Sequence, residues 1–212
     1  VSTPQEEDAG SLIPALLAIY TNYLAFRAAQ GNVSTAWTTV VDQIGLQAFI
    51  GDQLAMIAAR ALARQREGLG AGADELWTAV PQGVAAGVNA GLQTVAEALI
   101  WTDEHEDVPT KDEDGLIPTQ SDPPEELAMV TAQAVASAAQ EATAEAAGWR
   151  YKTWESIGDR QVRETHRALA GQKIRLAEAF TTIDGDSLRY PGDPLAEVSN
   201  RIGCRCTLRT SR

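Results

Sequence analysis

The sequence predicts an α+β protein, a mainly helical N-terminal part followed by a small α+β C-terminal domain. Three observations lead there. Apolar residues recur at helical spacing through the first 148 residues. An acidic, proline-bearing stretch, Thr102–Glu126, then interrupts the pattern with ten acidic residues, one lysine and four prolines. From Trp149 onward, short alternating segments between glycine and proline turns replace the helical period. Charge divides at the same point. The net charge of −12 comprises 5 Lys/Arg against 21 Asp/Glu through Gly148, and 12 against 8 afterwards. The expected units are residues 1–102 (helical region), 103–124 (acidic linker), 125–148 (alanine-rich connecting helix) and 149–212 (C-terminal domain).

Each element follows from local chemistry. Leu12–Ala29 is apolar and alanine-rich, and Gln30–Asn32 stops it. Ser34 can cap a second helix carrying Trp37, Val41, Ile44 and Ala48, and Ile50, Leu54, Ile57 and Ala61 continue its stripe past Gly45 and Gly51, where a kink can form. Arg60, Arg64 and Arg66 complement the dipole at its end, before the Gly68–Gly72 break. Val84, Val88, Leu92, Val95 and Leu99 mark a third helix, and such helices pack as antiparallel hairpins. Asp122, Pro123 and Glu125 form a helix-start signature, and Glu125–Ala147 then holds ten alanines before Gly148. A helix with so little side-chain volume is expected to pack closely against a neighbour. Beyond it, strands are expected at Trp149–Ser156, Gln172–Leu176, Ser187–Tyr190 and Cys206–Arg209, with a short helix between Gly158 and Gly171.

With 212 residues the chain can bury a core without covalent staples. Its two cysteines, Cys204 and Cys206, stand one residue apart, where a disulfide would be strained. The opening VSTPQEEDAG is acidic where a secretory signal is basic, and LIPALLAIY is too short to span a bilayer, so neither secretion nor a membrane partner is expected. Asp112–Gly115 lacks the alternating oxygen ligands and closing glutamate of a calcium loop, and His105 reads as a solvated histidine among carboxylates.

The chemistry-bearing residues cluster late. Val162, His166 and Leu169 share one helix face, which turns His166 inward, while Arg160, Arg163 and Arg167 form a basic stripe and Asp159 can cap the helix. His166, Cys204 and Cys206 are three candidate ligands for a structural zinc, with Glu197 or Asp193 the nearest carboxylates for a fourth. Two other readings stay open at this point. One is a core histidine with two small buried cysteines; the other is a Cys–His nucleophile, for which no oxyanion hole is signalled.

The segment YKTWESIGDRQVRETHRALAGQKIRLAEAF, followed by LRYPGDP and GCRC, resembles the C-terminal domain of phage Mu F-like minor head proteins. The resemblance covers about Tyr151–Leu208 and rests on an ordered combination: W, D-R-x-x-R-x-x-H-x-x-L-x-G, F, Y-P-G-D-P and C-R-C. It implies a structural minor capsid protein of a tailed phage, made in the host cytoplasm and associated with the portal vertex inside the head. The implied partners are the portal protein, a major capsid or scaffold protein, and packaged double-stranded DNA, with roles in DNA packaging and ejection. The candidate DNA contacts are Arg160, Arg167, Lys173, Arg175, Arg205 and Arg209. Many members carry C-x-x-C where this chain has Arg163–His166, and a histidine shortly before the final C-R-C. Here His166, Cys204 and Cys206 retain ligand positions. Arg163 is expected to tie the loops by a salt bridge to Asp159, Asp193 or Glu197. The resulting clasp of Asp159, Arg163, His166, Glu197, Cys204 and Cys206 would fasten the last strand to the short helix. No catalytic activity is expected. The rival reading is a metal-dependent hydrolase or nuclease using His166 with Asp184, Asp186 or Glu197; a DNA-binding regulator ranks last for want of a recognition helix.

Overall fold

The computed structural model describes residues 4–30, 39, 41–42, 45–69, 74–104, 124–160 and 162–212. The linker beyond Glu104, including His105 and the Asp122–Pro123 cap, lies outside them, as do Ser34, Trp37 and Ile44. The fold is α+β, with helices first and a small antiparallel sheet region last. Helices α1 (Pro4–Gln30), α2 (Leu46–Leu69), α3 (Asp74–Thr78), α4 (Val80–Glu104) and α5 (Pro124–Ala146) precede strand β1 (Tyr151–Glu155). The rest comprises α6 (Glu164–Leu169), β2 (Lys173–Arg175), β3 (Phe180–Thr181), β4 (Ser187–Leu188), α7 (Val198–Arg201) and β5 (Thr207–Ser211). The first helix starts earlier than its apolar run, because polar Gln5–Asp8 also supports a helix with acidic residues at its positive end. No described helix is long and apolar enough to cross a membrane.

The expected stripes are the buried ones. Leu12, Leu16 and Ile19 of α1 meet Ile50, Leu54 and Ile57 of α2, then Leu92, Val95 and Leu99 of α4 and Val135 and Ala139 of α5. Arg60 and Arg64 fasten α2 to α1 through the buried carboxylate of Asp8, at 3.1 and 2.6 Å. Helix α4 carries glycines every fourth residue, and these set its distance from α5. A Cβ on Gly83 would collide with Thr143 Oγ1 and lie 2.7 Å from the Ala139 carbonyl oxygen. One on Gly87 would lie 2.9 Å from the Val135 carbonyl oxygen, and one on Gly91 2.7 Å from Val135 Cγ2. The two backbones therefore approach as closely as they do only because both faces lack bulk.

Helix α5 is covered on its other side as well. Ala134 and Ala138 belong to a second core with Trp154, Leu169, Phe180, Leu188, Tyr190, Cys204, Cys206 and Leu208. Alanine is the residue that lets one helix serve as a wall between two cores. The sheet against it has the order β2-β1-β5, antiparallel throughout, with Tyr151 opposite both Arg175 and Ser211 and Trp154 opposite Leu208. Beside it, β3 and β4 pair as a two-stranded ribbon.

Three local expectations need correction. The helix expected across Gly158–Gly171 is confined to Glu164–Leu169. Its N-cap is Arg163, without a side-chain cap, so Asp159 does not cap it; the SIGD turn holds the chain out of helix until Arg163. Strand β5 begins one residue after Cys206 and runs to Ser211, carried by its pairing with β1.

The glycine stripe generates a test. On helix propensity alone, Gly→Ala gains about 1 kcal/mol. Gly68→Ala, at an open position, should follow that rule. Gly87→Ala should instead lower stability, and Gly87→Val should lower it by about 1–3 kcal/mol or more, as overpacking does. Urea denaturation followed by circular dichroism measures both; a stabilising Gly87→Ala would contradict the close contact.

Candidate functional site

The site forms where two chain reversals bring α6 and the start of β5 onto the face of β1. After α6, Gly171 at φ +79° turns the chain, and its N–H donates to the Trp154 carbonyl at 2.8 Å. After α7, Gly203 at φ +63° directs Cys204–Cys206 toward β5. Both turns need a left-handed residue, which glycine supplies without steric cost. His166 is thereby buried, with its Nδ1 3.5 Å from Cys204 Sγ and 3.7 Å from Cys206 Sγ. The Trp154 indole meets the imidazole edge-on at 5.1 Å between ring centres and meets Phe180 at 5.2 Å. Both cysteines are free thiols.

The two sulfurs are electrostatically unlike. The Cys206 thiol is pulled down to about 5, first by the hydrogen bond from Cys204 and then by His166 and the Trp154 indole, against the cost of burial. Cys204 is pushed well up by donating that bond, by burial and by the charge on Cys206, with Arg163 opposing. The two opposite shifts belong to the pair of sulfurs rather than to either thiol alone. Cys206 is only 1% exposed, so a substrate has no path to this thiolate, and the nucleophile reading lacks an accessible attacking atom.

The residues expected to form the clasp divide. His166, Cys204 and Cys206 come together. Asp159 pairs with Arg205 at 2.8 Å, which ties the approach to α6 onto the residue between the cysteines. Arg163 does not take the expected carboxylate partner; it donates to the Ile202 carbonyl instead, because the Gly203 turn brings that backbone to it. Glu197 is exposed and precedes α7, where its N–H donates to Asp186. Asp193 is occupied by the N–H groups of Arg189 and Leu195, at 2.7 and 3.0 Å. Neither carboxylate joins the His166–Cys204–Cys206 group, so the expected fourth metal ligand is not found there among the described residues.

The carboxylates of the rival hydrolase reading are accounted for by turns. Asp184 and Asp186 both accept from Asn200, at 3.4 and 3.0 Å, and Asp184 also accepts from the Thr182 hydroxyl, which chiefly lowers its pKa. Thr165 donates to the Asn200 amide oxygen at 3.1 Å, so this network braces α6 from outside while His166 faces the sulfurs on the inside. Of the candidate DNA contacts, Arg160, Arg167 and Arg175 are exposed; Lys173 lies over the Tyr151 ring, and Arg205 and Arg209 pair with Asp159 and Glu155.

A second polar cluster was not anticipated. Lys152, in the middle of β1, is fully buried, and its ammonium donates to Glu141 of α5 at 2.6 Å and to the Arg189 carbonyl at 2.8 Å. Arg189 completes the cluster at 2.7 Å from the other Glu141 oxygen. Burial pushes the Glu141 carboxyl up and the Lys152 amine down, and their mutual attraction opposes both shifts. The alternation of β1 places Lys152 on the same face as Trp154, a position that sequence pattern assigns to an apolar residue; only a partner on a distant helix makes it tolerable. The adjacent YPGDP turn is buried throughout, and Gly192, at φ +79°, lies against Gln133 and the Ala134 backbone of α5.

Residues 110–209 match the family described as Phage Mu protein F like protein. This part of the chain is phage Mu F-like. No curated protein and no solved structure gives a significant match. The Mu F-like segment takes in α5 as well as the sheet, and the structure gives the reason: the Y-P-G-D-P turn, Lys152 and Cys206 all dock on that helix. Gln133 donates to the Cys206 carbonyl at 2.8 Å.

Breaking the buried pair should be more harmful than removing it. Glu141→Leu alone leaves the Lys152 charge without its carboxylate and should cost about 3–5 kcal/mol, whereas Glu141→Leu with Lys152→Met should recover most of that loss. Chemical denaturation of the three proteins checks this. Equal losses in the single and double variants would show that the cost lies in packing alone.

Proposed function

We propose that this chain is a structural minor component of a tailed-phage head, recruited with the portal protein during assembly and retained inside the particle at the portal vertex. The observation that carries the reading is the Mu F-like match over residues 110–209. The geometry agrees with a structural role: each motif that carries the resemblance has a packing duty. The histidine and cysteines hold β5 to α6, the Y-P-G-D-P turn seats on α5, and Asp159 binds Arg205.

The division of charge supports a division of surfaces. The acidic helical part suits contacts with the portal, major capsid or scaffold protein. The C-terminal unit presents exposed Arg160, Arg167 and Arg175 for the phosphates of packaged DNA, with Lys173, Arg205 and Arg209 beside them. A net charge of about +4 over that unit supports weak, salt-sensitive contact rather than sequence reading. Catalysis is no part of this proposal.

Co-expression with the portal and major capsid proteins of its own phage tests the reading. The chain should co-purify with the portal, and particles should show its density at the portal vertex. Assembled particles that lack the chain would overturn the proposal.

A further inference from the structure

We propose that His166, Cys204 and Cys206 bind one zinc ion, with water as the fourth ligand, and that this ion fastens β5 to α6. The inference goes beyond the assembly role and does not depend on it. These three side chains are the one group of metal-ligating type found among the described residues, and their donor atoms all lie within 4.8 Å of one another.

The geometry favours an ion over hydrogen bonds alone. Nδ1 of an imidazole has one in-plane direction, occupied by either a proton or a lone pair, so it can satisfy one sulfur well and not two. Yet both sulfurs stand at nearly equal distance from Nδ1, 3.5 and 3.7 Å. In a tetrahedral site with Zn–N of about 2.0–2.1 Å and Zn–S of about 2.3 Å, the N···S edges are about 3.5–3.6 Å long. The observed edges bracket that length, so a metal can approach Nδ1 and both sulfurs from one point. Two sulfurs and one imidazole are a soft set that selects zinc over magnesium or calcium.

The surroundings fit. Two thiolates neutralise the ion, which removes the difficulty of placing a dication in a buried site. Nη1 of Arg163 is buried without a hydrogen-bond partner, and the charge of this guanidinium favours the Cys204 thiolate. Cys204 is 7% exposed against 1% for His166 and Cys206, so water reaches the fourth position from its side. Without an ion, the segment from Ile202 to Cys206 is held to α6 by the Arg163 and Asp159 contacts and one sulfur–imidazole bond.

Elemental analysis of the full chain, purified without chelator and without an affinity tag of histidines, tests this directly. About one zinc per chain is expected, and cobalt substitution should give the charge-transfer and d–d bands of a tetrahedral thiolate site. Cys206→Ser and His166→Ala should each reduce bound zinc to under about a tenth of that value, while Arg209→Ala, away from the site, should retain it. Because a variant can lose metal by unfolding, the wild-type protein supplies the deciding arm. Folded wild-type chain that is purified free of zinc and takes up none when zinc is added overturns the proposal, as does copper in place of zinc, or cobalt bound without sulfur bands.

Discussion

Helix α5 is the constraint on which the rest of the structure depends. It is buried along nearly its whole length because it faces the helical bundle on one side and the small sheet on the other. A helix in that position cannot carry large side chains toward both neighbours, and alanine keeps its helical preference while yielding the space. The glycines at 83, 87 and 91 of α4 complete the arrangement from the opposite side. Van der Waals contact between backbones replaces the interdigitation of large residues found in most helix pairs.

On this wall the polar anchors become intelligible. A lysine in the centre of a strand is ordinarily untenable, but Glu141 projects from α5 to meet Lys152, and Arg189 shares the same carboxylate. The cluster fixes the strand register against the helix, because a shift of β1 by one residue would turn Lys152 to the other face of the sheet, away from Glu141. Gln133 does the same for the Cys206 carbonyl, and Gly192 for the Y-P-G-D-P turn. The His166 site then sits at the far side of the sheet core, closed by Trp154 and Phe180. The Mu F-like segment is therefore a sheet together with the helix that supports it.

Much of this was legible from the chain. The stripe Ile50, Leu54, Ile57 and Ala61 has the helical period and is buried, and the inward turn of His166 follows from its spacing with Leu169. Alanine content foretold a close neighbour for α5 because side-chain volume is a local property. What escaped depends on distant partners. No local pattern says that Lys152 has a carboxylate waiting on α5, or that Arg163 meets a backbone carbonyl where a carboxylate was expected. The four-residue glycine repeat of α4 was available as a signal, but beside the valine stripe it reads as a weakness in the helix rather than as its contact surface. Strand β3 and α7 are too short for periodicity to reveal, whereas the turn chemistry around Ser187–Tyr190 did point to β4.

If α5 belongs to both cores, cutting the chain before it should not separate the two units. A specific protease site inserted in the acidic linker between positions 110 and 120, cleaved in the folded protein and followed by size-exclusion chromatography without denaturant, measures this. The predicted result is a single species containing both fragments, with the bundle helices still held to α5. Elution as two separate folded pieces would contradict the account, for it would mean that α5 belongs to the sheet alone.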